Sequence, residues 1–236
     1  MLQGSPEWLE TRAKCAITWS EAANALGIGY DTRQLYMKRK LKLVPKKESN
    51  WNMMEGNKRE PHIAEMYFRI MAAFSRPVTL WTDAFTVLPQ DSRMGGSVDR
   101  IVTCDSTKER WVLEIKSVPN GDMRTHLPIS HNIQMMGLCK TMGCDKAHYI
   151  AHSYGQGIYL AEITWDPSLW DEIVFPRLQE FADMWERKEI PTGMKSAEKE
   201  LLKKTIEQRT FIHELPCIAT KMQKRAQLRT SPNKPN

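Results

Sequence analysis

The hydrophobic period changes four times between residues 53 and 188 of this chain, and no other feature constrains its fold as much. Between residues 53 and 71 the positions Ile63, Met66, Tyr67 and Ile70 recur at helical spacing. From 78 to 117 the period falls to that of strands. Residues 78–88, 96–103 and 110–117 each read as one extended segment, with a turn at 105–109 joining the last two. Residues 119–121 break the chain. Helical spacing returns at 130–142 and is closed by Gly143. A strand pair follows at 147–153 and 157–163 around Tyr154-Gly155-Gln156-Gly157, then a long helix at 169–188 carrying Leu169, Ile173, Leu178, Phe181 and Trp185. Upstream, 17–26 reads as a helix that Thr18 or Ser20 can cap, with Glu21 placed for a capping box and Gly27 and Gly29 ending it. Residues 30–43 form a basic amphipathic stretch and 45–50 a polar loop. Pro61 falls inside the helical pattern of 53–71, so that helix is expected to begin near Glu60 or to bend there. The order helix, strands, helix, strands, helix, with no internal repeat, predicts a mixed α/β core with helices on the faces of a sheet.

Composition narrows the class. Apolar residues make up 41% and charged residues 26% of the chain, as in globular proteins, and no apolar run approaches the roughly 20 residues of a membrane span. The first ten residues lack the basic-then-apolar pattern of a signal peptide. A soluble, intracellular protein without a membrane partner is expected. The five cysteines are odd in number and none forms a two-residue-gap pair, so they read as free thiols rather than a zinc or redox site. The net charge of +6 lies from Lys195 onward, where ten Lys/Arg meet four Asp/Glu, while the rest balances at 24 against 24. A basic tail on a neutral body points to an anionic partner, nucleic acid first. The expected division is a domain over 1–193 and a basic extension over 194–236, with a short charged helix at 195–211 and disorder at 231–236.

The chemistry concentrates between Gly95 and Ser117. In a strand, side chains alternate, so Glu114 and Lys116 share one face and Ile115 points to the other, into the core. If 97–103 and 110–117 pair as a hairpin, Asp99 comes close to Glu114. Two facing carboxylates are unfavourable unless a cation lies between them. Magnesium suits such a site, being a hard ion that takes carboxylate, carbonyl and water oxygens, and the Ile115 carbonyl can add a ligand. Lys116 can then orient an attacking water and favour its deprotonated form, which permits metal-assisted hydrolysis of a phosphodiester. The triplet alone has little specificity. Glu186-Arg187-Lys188 repeats it in a predicted helix, where a two-residue step of about 200° separates the side chains. What distinguishes the first triplet is its apolar strand and the strand before it that carries Asp99.

Asp99 followed by Glu114-Ile115-Lys116 resembles the PD-(D/E)xK nuclease signature, with Val98 in place of the usual proline. The flanks resemble the lambda exonuclease family, also called YqaJ-type viral recombinases. Trp8, Arg12 and Ile17-Thr18-Trp19-Ser20 are similar to its opening motif, and Gly56 to Pro61 with Ala64 and Tyr67 to its next helix. Residues 128–137, with His131 and Gln134, are similar to the helix after its catalytic strands. The resemblance covers about residues 6–165 in the family's order; the tail beyond Gly193 matches no known pattern.

The resemblance implies a restriction-endonuclease-like core with a central mixed sheet. It implies a Mg2+-dependent 5′→3′ exonuclease on double-stranded DNA with free ends, serving viral or phage recombination, with Mn2+ an admissible substitute. Asp99 and Glu114 would bind magnesium with the Ile115 carbonyl, and Lys116 would position the attacking water. Glu60 would join through a water or a second ion, and Gln134 would help fix the metal site or the nucleophile. Arg12 and Ser20 would bind the 5′-phosphate, and His131, one turn before Gln134, would contact DNA. Some family members form toroidal homo-trimers and many work with a single-strand annealing protein. Two other functions fit the same residues: a PD-(D/E)xK endonuclease of repair or restriction type, on DNA or RNA, and a catalytically silent DNA-binding module.

Overall fold

The computed structural model describes residues 4–45, 51–82, 85–118, 126–153 and 156–216. Helix α1 (Pro6–Ala13) starts behind Ser5, whose hydroxyl accepts the Trp8 N–H at 3.2 Å. The stretch expected as one helix over 17–26 is divided. Ile17 and Thr18 form strand β1, parallel to Met94 and Gly95, and a 3-10 turn (Trp19–Glu21) leads into the four-residue helix α2 (Ala22–Ala25). Buried, β-branched Ile17 and Thr18 suit a strand, and tertiary pairing overrides the capping signal. Helix α3 (Arg33–Lys40) follows, capped by Thr32.

Helix α4 (Trp51–Ala73) neither begins at Glu60 nor breaks at Pro61. Pro61 lies on its exposed side, while Ile63, Ala64, Tyr67, Ile70 and Met71 bury a continuous face on the sheet. That burial outweighs one lost backbone hydrogen bond. The segment expected as one strand over 78–88 is two, β2 (Val78–Trp81) and β3 (Thr86–Leu88), in different sheets. Alternation marks a strand without saying which neighbour it takes. The strand expected over 96–103 also divides, into β4 (Asp91–Gly96) and β5 (Arg100–Cys104), so Asp99 stands just ahead of β5. Strand β6 (Arg110–Val118), helix α5 (Ile129–Met142) with left-handed Gly143 behind it, β7 (Lys146–Ser153) and β8 (Gly157–Trp165) match their expected places. The breaker at 119–121 and half of the 154–157 turn lie outside the described residues. The long helix is built from α6 (Pro167–Leu169), a π turn (Trp170–Val174) and α7 (Phe175–Glu186).

The segment set apart in sequence from residue 194 packs into the same body. Helix α8 (Ser196–Gln208) buries Leu202 and Ile206 in the main core, and β9 (Thr210–Glu214) pairs antiparallel with β8. The disorder expected at 231–236 lies outside the described residues.

The main sheet has the order β2-β5-β6-β7-β8-β9 and is mixed: β6 and β7 are parallel, joined across α5, and every other neighbouring pair is antiparallel. A small sheet, β1-β4-β3, stands beside it. Alternation along β6 decides the layers. Trp111, Leu113 and Ile115 pack under α4, whereas Val112 joins the core beneath α5. Trp19 fastens α5 to β4: a Cβ on Gly137 would lie 2.4 Å from its ring and one on Gly96 2.5 Å. Its indole N–H donates to Thr141 Oγ1 at 2.9 Å. No helix among the described residues is long and apolar enough to cross a membrane.

Candidate active site

Glu114 and Lys116 project from β6 toward the α5 side, as alternation requires. Glu114 is fully buried at 0% exposure, and its Oε1 makes an ion pair with Lys116 Nζ. Its Oε2 has no hydrogen-bond partner among the described residues. Asp99 is brought alongside by the β5–β6 pairing, which runs from Thr103–Arg110 to Arg100–Leu113 and stops there. Beyond that point the Ile115 N–H, which would have continued the ladder, donates to Asp99 Oδ2 at 2.7 Å. The N–H and C=O of one strand residue face the same neighbour, so the Ile115 carbonyl shares the edge that Asp99 occupies.

The electrostatics are those of an incompletely neutralised site. Burial first, and then the Glu114 carboxylate, raise the Asp99 carboxyl well above its ordinary range. Burial works against the Lys116 ammonium, but the Glu114 and Asp99 carboxylates outweigh it and hold the side chain protonated. One lysine therefore faces two carboxylates. Among the described residues no three His, Cys, Asp or Glu side chains gather into a group able to hold a metal ion. What gathers is two carboxylates, a lysine and a backbone carbonyl. The unpartnered Glu114 oxygen and the Asp99 carboxyl driven toward protonation fit a hard divalent cation, which would take the place of that proton.

The other expected site residues divide into groups. Glu60 on α4 is joined to the site through Arg100, whose Nη1 donates to Glu60 Oε1 at 2.6 Å and also to the Asp99 carbonyl oxygen. Arg12 and Ser20 do meet: Arg12 Nη2 lies 3.4 Å from both Ser20 Oγ and Thr18 Oγ1, and 4.0 Å from Glu21 Oε2. The Arg12 guanidinium stacks over the Trp8 ring at 5.1 Å, and the Trp8 indole N–H donates to Ser97 Oγ at 2.8 Å, two residues before Asp99. His131 sits 3.0 Å from the Tyr149 hydroxyl through Nδ1. Gln134 is buried on α5, and no hydrogen bond among the described residues joins it to Asp99, Glu114 or Lys116.

Sequence reasoning missed Arg100 and Tyr149. Tyr149 is the register partner of Glu114 across the parallel β6–β7 pair. Nothing local marks it, because the partner strand enters only after a helical crossover. Arg100 is visible as the residue after Asp99, but its bond to Glu60 spans 40 positions.

A model of the YqaJ-like viral recombinase domain matches residues 7–152. The chain belongs to that family. Within the matched residues lie α1 to β7, but for Pro6 and Ser153 at their two ends, and every residue considered above; β8, α6 to α8 and β9 follow. No curated protein matches the sequence. Among solved structures, the alkaline exonuclease LHK-Exo from Laribacter hongkongensis is similar over 86% of this chain and 99% of its own, with a TM-score of 0.62 and 19% identity. Its complex with dAMP is similar to the same degree. At that identity the likeness is one of fold: a restriction-endonuclease-like core with helices on a central mixed sheet.

Proposed function

We propose that this YqaJ-like domain is a divalent-metal-dependent nuclease that digests duplex DNA from 5′-phosphorylated ends. The observation that carries the reading is the arrangement on β6: a buried Glu114 carboxylate with one unpartnered oxygen, Lys116 beside it, and Asp99 held opposite by the Ile115 N–H. The family match and the fold shared with an alkaline exonuclease support it.

Asp99, Glu114 and the Ile115 carbonyl would hold magnesium. When bound, the ion supplies Lewis acidity at the phosphate and a lowered pKa for water. The residues do the rest. The Ile115 N–H donates to Asp99 Oδ2 and fixes the orientation of that carboxylate. Lys116, held as an ammonium, stabilises negative charge growing on the attacking oxygen. Arg100 draws Glu60 toward the Asp99 backbone and keeps its carboxylate at the rim. Arg12 presents a planar fork to a terminal phosphate, with the Ser20 hydroxyl as a further donor. Trimer formation and an annealing-protein partner belong to the same proposal.

The test is a linear duplex labelled at either end, with and without a 5′-phosphate, incubated with Mg2+ or with EDTA. Magnesium-dependent loss from the 5′-phosphorylated end is expected, with Glu114→Gln inactive and a closed circle uncut. Cutting of the circle would favour an endonuclease. Duplex binding without cleavage under any divalent ion would leave a binding module.

A further inference from the structure

One edge of the main sheet carries an aromatic side chain that neither the core nor the catalytic reading uses. Along β2 the side chains alternate: Val78 and Leu80 pack under α4, so Thr79 and Trp81 point to the opposite face. The strand register places Trp81 independently. Trp81 is opposite Ile101 on β5, and Ile101 is opposite Val112 on β6. Ile101 and Val112 both join the core beneath α5. Glu114 and Lys116 follow Val112 at strand spacing, so Trp81 shares their face of the sheet. Trp81 is 57% exposed, whereas Trp8, Trp19, Trp111 and Trp170 are all buried. A single exposed apolar residue means little by itself. What gives Trp81 weight is its distance from the proposed metal site and the segment that follows it.

Strand β2 lies two strand spacings from β6, about 10 Å across the sheet. Glu114 is two residues past Val112, about 7 Å along it. Together these put the Trp81 backbone about 12 Å from that of Glu114, or about three to four of the 3.4 Å steps between stacked bases. The chain then turns from Trp81 toward the residues proposed for the DNA end. Four residues on, the Phe85 ring meets Trp8 edge-on at 6.2 Å, and Arg12 stacks over Trp8 at 5.1 Å. Four residues span at most about 14 Å, so Trp81 stays within a few nucleotides of both proposed contacts. Bases inside a duplex hide both faces in the stack. Removing nucleotides from one strand leaves the other unpaired beside the site, with its flat faces open. An exposed indole is a stacking partner for such a base, whatever its sequence.

We infer that Trp81 is a stacking platform for an unpaired base next to the end of the duplex DNA held at the Asp99 site. The inference rests on the nuclease reading of that site, but its test does not require cleavage.

Binding is measured in EDTA for a blunt 5′-phosphorylated duplex and for one with a short 3′ overhang, using the wild type, Trp81→Phe, Trp81→Leu and Trp81→Ala. Trp81→Ala should lose at least about fivefold in affinity for the overhang duplex, the lower end of base–aromatic stacking, and little for the blunt one. Trp81→Phe should keep most of the affinity, and Trp81→Leu should not. A 2-aminopurine base placed near the end of either strand then identifies the stacked base. The wild type should quench the probe in one strand, and Trp81→Ala should leave it bright. Quenching in the overhang assigns the undigested strand; quenching at the recessed end assigns the digested one. Equal affinity of wild type and Trp81→Ala for the overhang duplex would overturn the inference. So would wild-type affinity in Trp81→Leu, because the contact would then be merely apolar. A probe left bright in both strands by the wild type would overturn it without any variant. A wild type that quenches the probe but cuts nothing with magnesium would sink the nuclease reading and leave the stacking contact standing.

Discussion

Replacing Tyr67 with Phe removes one oxygen from the middle of a buried relay. The Trp111 indole N–H donates to the Tyr67 hydroxyl at 2.8 Å, and that hydroxyl lies 2.7 Å from His148 Nδ1. An indole N–H can only donate, so Tyr67 must pass its own proton toward Nδ1. The ring proton then sits on Nε2, which faces Glu162 Oε2 at 3.1 Å, and Lys146 Nζ lies 3.3 Å from the same carboxylate oxygen. The substitution strands two groups, the Trp111 N–H and His148 Nδ1, on residues with 0% exposure. At about 1–3 kcal/mol for each stranded group, the loss comes to roughly 2–6 kcal/mol. In a chain of this size 1 kcal/mol moves the melting temperature by about 2–4 °C, so a central loss of about 4 kcal/mol lowers it by about 8–16 °C. Scanning calorimetry at neutral pH measures this. A drop of under about 2 °C would refute the relay as a connected unit.

The same relay makes stability depend on pH, and the sign can be worked out. Burial, more than any other influence, holds His148 below the ordinary imidazole value, against the pull of Glu162. Glu162 is held down at about 2, chiefly by the hydrogen bond from His148. Below about pH 6.5 the unfolded chain binds a proton at His148 that the folded chain refuses, so stability falls as pH falls. Glu162 adds its own loss from about pH 4.5 downward. The melting temperature should therefore decline between pH 7 and 5, and relative to wild type His148→Gln should flatten that part of the curve.

Three further outcomes follow from the packing and the site. Arg12→Ala should cut the rate advantage of a 5′-phosphorylated over a hydroxyl-ended duplex by about tenfold or more, the scale of charged hydrogen bonds, with end-labelled substrates as the readout. Gly137→Ala drives a methyl group to 2.4 Å from the Trp19 ring and should cost about 1–3 kcal/mol in a urea titration. Ending the chain after residue 193 removes β9 and the buried Leu202 and Ile206, at about 1.5–3 kcal/mol each, and should lower the melting temperature accordingly.

The cost of that truncation shows where the sequence can and cannot be read. Net charge separates the tail from the body because Lys and Arg are plentiful after residue 195, yet Leu202 and Ile206, four apart in that charged run, are what bind α8 to the core. Two apolar residues in a basic helix are too few to raise a hydrophobic pattern above its surroundings. Strand β9 is weaker still, since Phe211 and Ile212 are exposed and its place comes from pairing with β8. The central strand of the site is legible because burial on both faces gives it a short continuous apolar run, and side chains along a strand alternate between its faces. Strand periodicity alone therefore puts Glu114 and Lys116 on a shared face, while in the other triplet Glu186 ends α7 and Lys188 lies beyond it in a left-handed turn, with a φ of 57°.

Contacts made across elements are not legible in this way. The meeting of Arg12 with Ser20 is expected only through the family resemblance, and the geometry adds what the resemblance does not contain. Trp8 stacks under Arg12 and donates to Ser97, so the residues proposed for the DNA end and those proposed for the metal are mechanically joined within a few side chains. A contact of that kind has no local signature: Trp8 and Ser97 are 89 positions apart. The pairing depends on β1 lying parallel to β4, which sets the start of α1 against the bend before Asp99. Ile17 and Thr18, which read in sequence as the start of a helix, are thus the residues on which the joining of the two halves of the site depends.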